Sequence, residues 1–514
     1  MGSGLPTQGC VPVINPSIAT VLAMIQKSVE GNLGVGNGNE LAKAFTQSNN
    51  QLTGLTAFDL EGPAKTFTPI ITPLRNMLPR VSGGMGIQAN WRAITAIGSA
   101  GMSVGVSEGA RGGLVTTTVK EYLAAYRTLG IEDSATFEAD QASQGFDDVK
   151  ARAVQGVLKH LMQYEETVII GGAGTQALGV TPTPTLSTAT TGGTIAATTT
   201  VSVICVALTL EGWAFTQQNG GIGGQITRTN ADGTTTQYGS GSAQKSANAT
   251  VVTGGTTTNT VSASVTPVRG AVGYAWYVGP AASERYAGVT TINSILVTAL
   301  PSGTALMIGG GSTDYSTNAT IHDGFLGLAT PVASGAYWAT QPTGTAGTGT
   351  PLTADGAGGI VEIDTMLESY WTNYRMSPTE IWVNQQEMAG LRKKVLTGTS
   401  TAAQRFTFQT AQGNIVASGL VRGYLNPFGM GMAMEVPIKL HPSVPPGTIL
   451  ALAHELPYQL SGVQNVNQIK CRRDYYQLEW PLRTRKYEYG VYTDQVLQCY
   501  FPPSIGVITN IARG

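Results

Sequence analysis

The sequence predicts an α+β body interrupted by an all-β sandwich, and three observations carry that reading. Val154, Val157, Leu158, Leu161 and Met162 fall at helical spacing within a stretch running from about 146 to 170. Between 182 and 313 only seven charged residues occur: Glu211, Arg228, Asp232, Lys245, Arg269, Glu284 and Arg285. Thr, Gly, Ser and Val dominate there, and short strand signals recur between turns. Helical periodicity then returns at 360–376, followed by a strand ending near Asn384 and a helix bearing Met388, Leu391 and Val395.

At 514 residues the chain is long enough for about three domains. Charged residues make up 12%, against a usual share of roughly 25%, so much of the surface is expected to be covered by other copies of the chain. The net charge of -1 argues against tight nucleic-acid binding, which needs Lys and Arg in excess. Cys10, Cys205, Cys471 and Cys499 lack metal-ligand spacing and read as reduced thiols. The opening "MGSGLPTQGC" has no basic leader, and no apolar run approaches the roughly 20 residues of a membrane helix. A soluble, intracellular product is expected.

In chain order, residues 16–29 have helical character and 31–40 read as a flexible break. Residues 67–81 alternate proline with apolar side chains. They fit an extended arm anchored by Leu74, Met77 and Leu78, or an ordinary loop. Residues 87–95 read as a strand with Trp91 inside, 97–113 as a Gly/Ser-rich loop and 114–132 as strand-like. Together they make a long two-armed loop or hairpin. The helix that follows is roughly 37 Å long at 1.5 Å per residue. Asp147 and Asp148 suit its first turn, and Gly171 and Gly172 its stop.

Residues 181–200 read as a Thr/Pro-rich linker, 201–210 as an apolar strand, and "ITRTNADGTTTQY" as a hairpin on a two-residue Asp232-Gly233 turn. "AVGYAWYVG" and "INSILVTAL" add strands, the first with Tyr274, Trp276 and Val278 on one face. Residues 470–488 read as one long strand in which Tyr476, Leu478, Trp480 and Leu482 alternate with Gln477, Glu479 and Arg483. Nine of its 19 residues are charged, which fits a subunit-contact strand, a basic strip near a polyanion or a solvated sheet face.

Patterns that would carry chemistry fail on context. "VIIGGAGTQALG" spells a dinucleotide-binding turn through Gly172, Gly174 and Ala177. A helix precedes it, no helix follows, and no acid lies between Glu166 and Glu211 to hold a ribose. "GMSVG" and "GVSEG" fit a nucleophile elbow at Ser103 and Ser107, yet a flexible, strand-like segment follows where a helix is required. His322, His441 and His454 offer no distinctive pairing, and His454-Glu455 lacks the second His of a zinc helix. No catalytic residue, cofactor or metal is expected.

Taken in order, these parts resemble the major capsid protein of tailed bacteriophages, the Hong Kong 97-type fold. "TPLRNMLPRV" resembles the end of that family's N-terminal arm, 94–119 its projecting loop and 149–170 its spine helix. "GGAGTQALGV" resembles the glycine-rich exit, read as a hinge into the axial domain. "EIWVNQQEMAGLRKKV" resembles the axial strand and helix, and "RRDYYQLEWPLRTRKYEYGVY" the closing strands. "RGAVGYAWYVG" resembles the central strand of immunoglobulin-like or fibronectin-like modules.

The resemblance implies an N-terminal arm at 1–80, a strand and extended loop at 81–130, and a peripheral domain with the spine helix at 131–181. An inserted immunoglobulin-like sandwich at 182–313, an axial domain at 314–469 and returning strands at 470–514 follow. It implies a virion protein, assembled in the host cytoplasm as hexamers and pentamers of an icosahedral shell around packaged double-stranded DNA held by weak, non-specific contact. Scaffold, portal and decoration proteins are candidate partners, and no membrane is. Leu74, Arg75, Glu108, Arg111, Arg472, Arg473, Arg483, Arg485 and Glu488 are the candidate inter-subunit contacts. No Lys occurs between Ala93 and Val119, so a cross-link from the projecting loop lacks its amine. An encapsulin-like compartment around protein cargo is the alternative; a surface adhesin is the weaker one, since no secretion signal is seen.

Overall fold

In the computed structural model the helical spacing forms a 23-residue helix, Val149–Gly171. Asp148 caps it, its Oδ1 accepting the Ala151 N–H at 3.0 Å. Residues 65, 67–98, 105–145, 147–302, 311–397, 408–409, 415–416, 421–429, 434–458 and 461–514 are described. The helical and flexible readings at 16–29 and 31–40, with Cys10 and Ser103, lie outside them. The chain divides into Met1–Phe67 with Gly145–Asp147, and Thr68–Gln144 with Asp148–Gly514; nearly all described residues belong to the second unit.

Val157, Leu161 and Val168 bury one stripe of the helix against Leu129 and Val491. Those two lie in a four-stranded sheet ordered Arg80–Val81, Asn467–Glu479, Lys486–Cys499, Arg127–Thr136. The first pairing is parallel and the other two antiparallel. The single strand expected at 470–488 is therefore two strands and a turn. Pro481 has no N–H for the ladder, and Trp480 and Leu482 stand exposed at the turn.

Gln88–Ile97 and Thr117–Ala125 pair as a two-stranded ribbon with a bulge between Ile94 and Ala96. Its two ends run from and into strands of the four-stranded sheet, Arg80–Val81 and Arg127–Thr136. Trp91 is only half-buried; it stacks on Tyr122 at 6.0 Å and meets Tyr500 edge-on at 5.7 Å.

A second sheet has six strands, ordered Tyr337–Thr340, Ile505–Thr509, Ile449–Leu452, Glu380–Val383, Glu435–Leu440, Gly423–Leu425. Strand alternation gives it two buried faces. Ile381, Val383, Ile449, Ala451 and Ile508 pack with Ile363, Met366 and Leu367 of the helix Val361–Tyr374, and with Leu391 of the helix Gln385–Thr397. Trp382, Leu450, Leu452, Ile505 and Val507 share a core with Leu74, Ile169, Ile170 and Phe325.

The inserted region is a sandwich of a three-stranded sheet (Ser294–Val297, Thr260–Ser264, Thr185–Ala189) and a four-stranded one (Arg285–Thr290, Gly273–Gly279, Thr200–Leu208, Ala249–Val252). Val203, Cys205, Ala207, Tyr274, Trp276 and Val278 face the core between them. Ile204, Val206, Leu208, Ala275 and Tyr277 face the other way and pack with Trp213 of a helix, Leu210–Asn219. The expected linker at 181–200 contains the sandwich's first strand, Thr185–Ala189, paired to Thr260–Ser264. Counted along the chain, the first, fourth and seventh sandwich strands share one sheet. The first and second thus lie in opposite sheets, unlike immunoglobulin constant domains. The Asp232-Gly233 hairpin joins Gln225–Thr229 to Thr235–Gly239 through a wider turn than expected: Asn230 N–H donates to Thr234 O, and Gly233 takes a left-handed φ of 84°.

Leu210, Trp213 and Val272 carry the sandwich into the same core as Ile169 and Phe325. The glycine exit, expected as a hinge, is a close-packed crossing instead. Gly171, Gly172 and Gly174 are buried, and Gly172 O accepts the Gly324 N–H at 2.9 Å. A Cβ on Gly172 would sit 2.4 Å from His322 O, and one on Gly174 2.4 Å from Ile321 O. Gly172→Ala or Gly174→Ala should therefore cost about 1–3 kcal/mol in urea unfolding. Gly156→Ala, where the same helix meets open space, should stabilise by up to about 1 kcal/mol.

Candidate functional site

Two adjacent acids, Glu165 and Glu166, interrupt the apolar end of the long helix, and both are fully buried. Ionised carboxylates in such a place need close partners. Glu165 takes them from two directions. Arg75 Nε (3.0 Å) and Arg80 Nη1 (2.5 Å) reach it from the segment before the ribbon. Gln495 Nε2 (2.8 Å) and the Tyr475 hydroxyl reach it from the closing strands. Arg80 also grips Asp474 Oδ1 through Nε at 3.0 Å and Nη2 at 2.7 Å. The two guanidiniums lie 5.0 and 4.7 Å from the Tyr475 ring. Burial alone would lower the Arg80 pKa, but the hydrogen bond to Asp474 and the Glu165 charge hold it well above its ordinary value. Burial, then Glu165, likewise pushes the Tyr475 phenol up.

Glu166 holds the same segment by its backbone. Its carboxylate accepts the N–H groups of Leu74 at 2.9 Å and Arg75 at 2.7 Å in the short helix Pro73–Met77. His441 completes it. The Ser443 N–H donates to His441 Nδ1 at 3.0 Å, so Nε2 carries the proton given to Glu166. Arm segment, long helix, closing strands and six-stranded sheet thus meet at two carboxylates. Nearby, Glu380 takes His454, Lys439 and the Trp382 indole; burial would raise its carboxyl pKa, and these three partners hold it below the ordinary value.

The candidate contact residues separate into distinct places. Leu74, at 0% exposure, belongs to its own chain's core, and Arg75 to the clamp on Glu165, so both tie the arm inward. Glu108 and Arg111 stand exposed in the loop, with no ion-pair partner among the described residues. Arg472 bonds Asp494 at 3.1 Å and Gly86 O at 3.1 Å, and Arg473 lies 4.0 Å over the Tyr476 ring. Arg485 pairs with Glu138 and Glu488 with Lys486, while the Arg483 charge helps lower the Asp232 pKa, chiefly set by Thr234. Ser107 sits in a turn, and no helix starts in 105–116. Among the described residues no three His, Cys, Asp or Glu are placed to hold a metal. Sequence reading missed the Glu pair, although two consecutive acids in the apolar end of a helix, "YEETVII", were a readable signal.

Glu165→Gln leaves the two guanidiniums without their buried counter-charge, and should cost about 3–5 kcal/mol in urea unfolding of the unassembled chain. Tyr475→Phe should cost only about 1 kcal/mol. Glu211, at the start of the sandwich helix, is pushed up to about 7 by burial, partly offset by the Asn318 amide. Its unfolded carboxyl titrates near about 4.3. The folded chain therefore binds more protons between these values, and stability falls as pH rises from the lower to the higher, then levels off. Glu387, also raised to about 7 by burial, acts in the same sense. Glu211→Gln should gain thermal stability over the parent between about pH 5 and about pH 8, read from paired melting curves.

No family model and no curated protein matches the chain. Solved structures resemble it along most of its length. The cyanophage A-1(L) capsid shares 12% identity over 89% of this chain and 98% of that chain, with a TM-score of 0.43. The capsid of the native GTA particle shares 10% over 91% and 100%, with a TM-score of 0.41. The SrpI encapsulin of Synechococcus elongatus PCC 7942 shares 8% over 87% and 93%, with a TM-score of 0.35.

Proposed function

We propose that the chain is a major capsid protein of a tailed bacteriophage, many copies of which tile an icosahedral shell around packaged double-stranded DNA. The ribbon Gln88–Ile97/Thr117–Ala125 carries this reading. Ile94 opposes Val119 across it, and Leu123 lies on the same face; Leu123 is 65% exposed and Ile94 61%. A two-stranded ribbon is marginal in water by itself, and Ile94, Val119 and Leu123, exposed on a face they share with Arg92 and Glu121, leave apolar area for something to cover. Its ends are fixed in the four-stranded sheet, so a neighbouring copy is the natural cover, and a closed lattice supplies one to every ribbon. The low charge content and the net charge of -1 suit a wall that is buried by neighbours and holds DNA without trapping it.

The role is structural rather than catalytic. The sandwich is placed on the outer surface, because inside it would compete with genome for volume. An encapsulin-like compartment is the second reading, and nuclease-protected DNA in purified particles separates the two.

Electron microscopy of the expressed chain should show shells of uniform size with the sandwich outside; dispersed monomers at high concentration would contradict the proposal. Ile94→Glu and Leu123→Glu should abolish shells while leaving the melting temperature of the unassembled chain within about 2 °C, as expected for substitutions at exposed positions.

A further inference from the structure

A cleft of about 300 Å³ opens between the sandwich and the six-stranded sheet, lined by Arg269, Val332, Tyr337, Trp338, Asn373 and Tyr374 among others. Arg269 comes from the loop before Gly273–Gly279. Its Nε and Nη2 donate to Ala329 O at 3.2 and 2.9 Å, and Nη2 also to Ala336 O at 3.0 Å. Among the described residues Nη1 has no partner, and no carboxylate lies close enough to offset a positive charge that the carbonyls leave uncompensated. Burial pushes this guanidinium down, the reverse of Arg75 and Arg80 beside their acids.

The walls are of a particular kind. The Arg269 guanidinium lies 5.5 Å from the Trp338 ring, and the Trp338 indole N–H, shut off from solvent, has no acceptor among the described residues. Trp, Tyr and Arg gathered around a small depression are the residue types that dominate protein–protein binding energy. One cation suits one carboxylate. A nucleic-acid backbone would be met by several cations, and Arg269 is the only one among the described residues that line the cleft. The chain also displays acids with no ion-pair partner among the described residues, Glu108 for one.

We infer that this cleft receives an acidic side chain from a second copy of the chain, which pairs with Arg269 between the aromatic walls. The inference rests on the shell-forming reading and names one contact within it.

Val332 is 78% exposed on the cleft's rim, so it can be changed without touching the interior. Val332→Glu supplies a carboxylate from the same chain and repels the incoming one; Val332→Gln matches it in shape without charge. Particle yield from Val332→Glu should fall about tenfold below that from Val332→Gln, with equal melting temperatures in the unassembled chains. Equal particle yields would overturn the inference. Failure of the shell reading would show separately, as an absence of particles from the parent chain. In particles of Arg269→Lys, zero-length carbodiimide coupling should join the new amine to an acid of another copy in isotope-mixed preparations. Coupling found only within one copy, or only at other lysines, would also count against it.

Discussion

The structure depends on two buried carboxylates finding partners in a segment roughly 90 residues upstream, Glu165 in two guanidiniums and Glu166 in two backbone N–H groups. Burying Glu165 unpaired would cost several kcal/mol, because an ion taken out of water loses its hydration. Arg75 and Arg80 offset that loss, and Glu166 binds the backbone of Leu74 and Arg75. The C-terminal turns of the long helix can therefore be buried only when the arm segment is in place. Tyr475 and Gln495 extend the same condition to the closing strands. One small cluster makes early and late parts of the chain fold together, and it gives the exposed ribbon a rigid base.

The same core fixes the sandwich. Gly171, Gly172 and Gly174 let two backbone segments touch, and Leu210 and Val272 then enter the space beside Ile169. A module tethered by a flexible linker would sample many orientations. This one has a set position, so its hairpin and the Arg269 cleft face fixed directions. A repeated lattice needs that, since a contact with the next copy recurs only if every copy presents it alike.

Much of this was legible in the sequence, for reasons that differ by element. The long helix announced itself through period and cap, because one stripe is buried and Asp148 precedes it. The ribbon was visible as two strands around a glycine-rich loop. The strand Thr185–Ala189 was hidden by composition: an edge strand of Thr and Ser looks like a linker until its partner is known. The helix Leu210–Asn219 was missed although Thr209 caps it and Gly220 closes it in a left-handed turn; ten residues beside an apolar strand give little period to read. The break after Glu479 was masked because alternation continued through the turn. The carboxylate clamp could not be read in full, since its partners lie up to 330 residues away in sequence.

The central claim is that the arm segment is locked to its own chain before any shell forms. Amide hydrogen exchange at Leu74 and Arg75 in the unassembled full-length protein tests it directly. The account predicts protection of both amides equal to that of the buried strand Ile449–Leu452, lost only on global unfolding. Exchange at the rate of a free peptide, with the strand still protected, would contradict it.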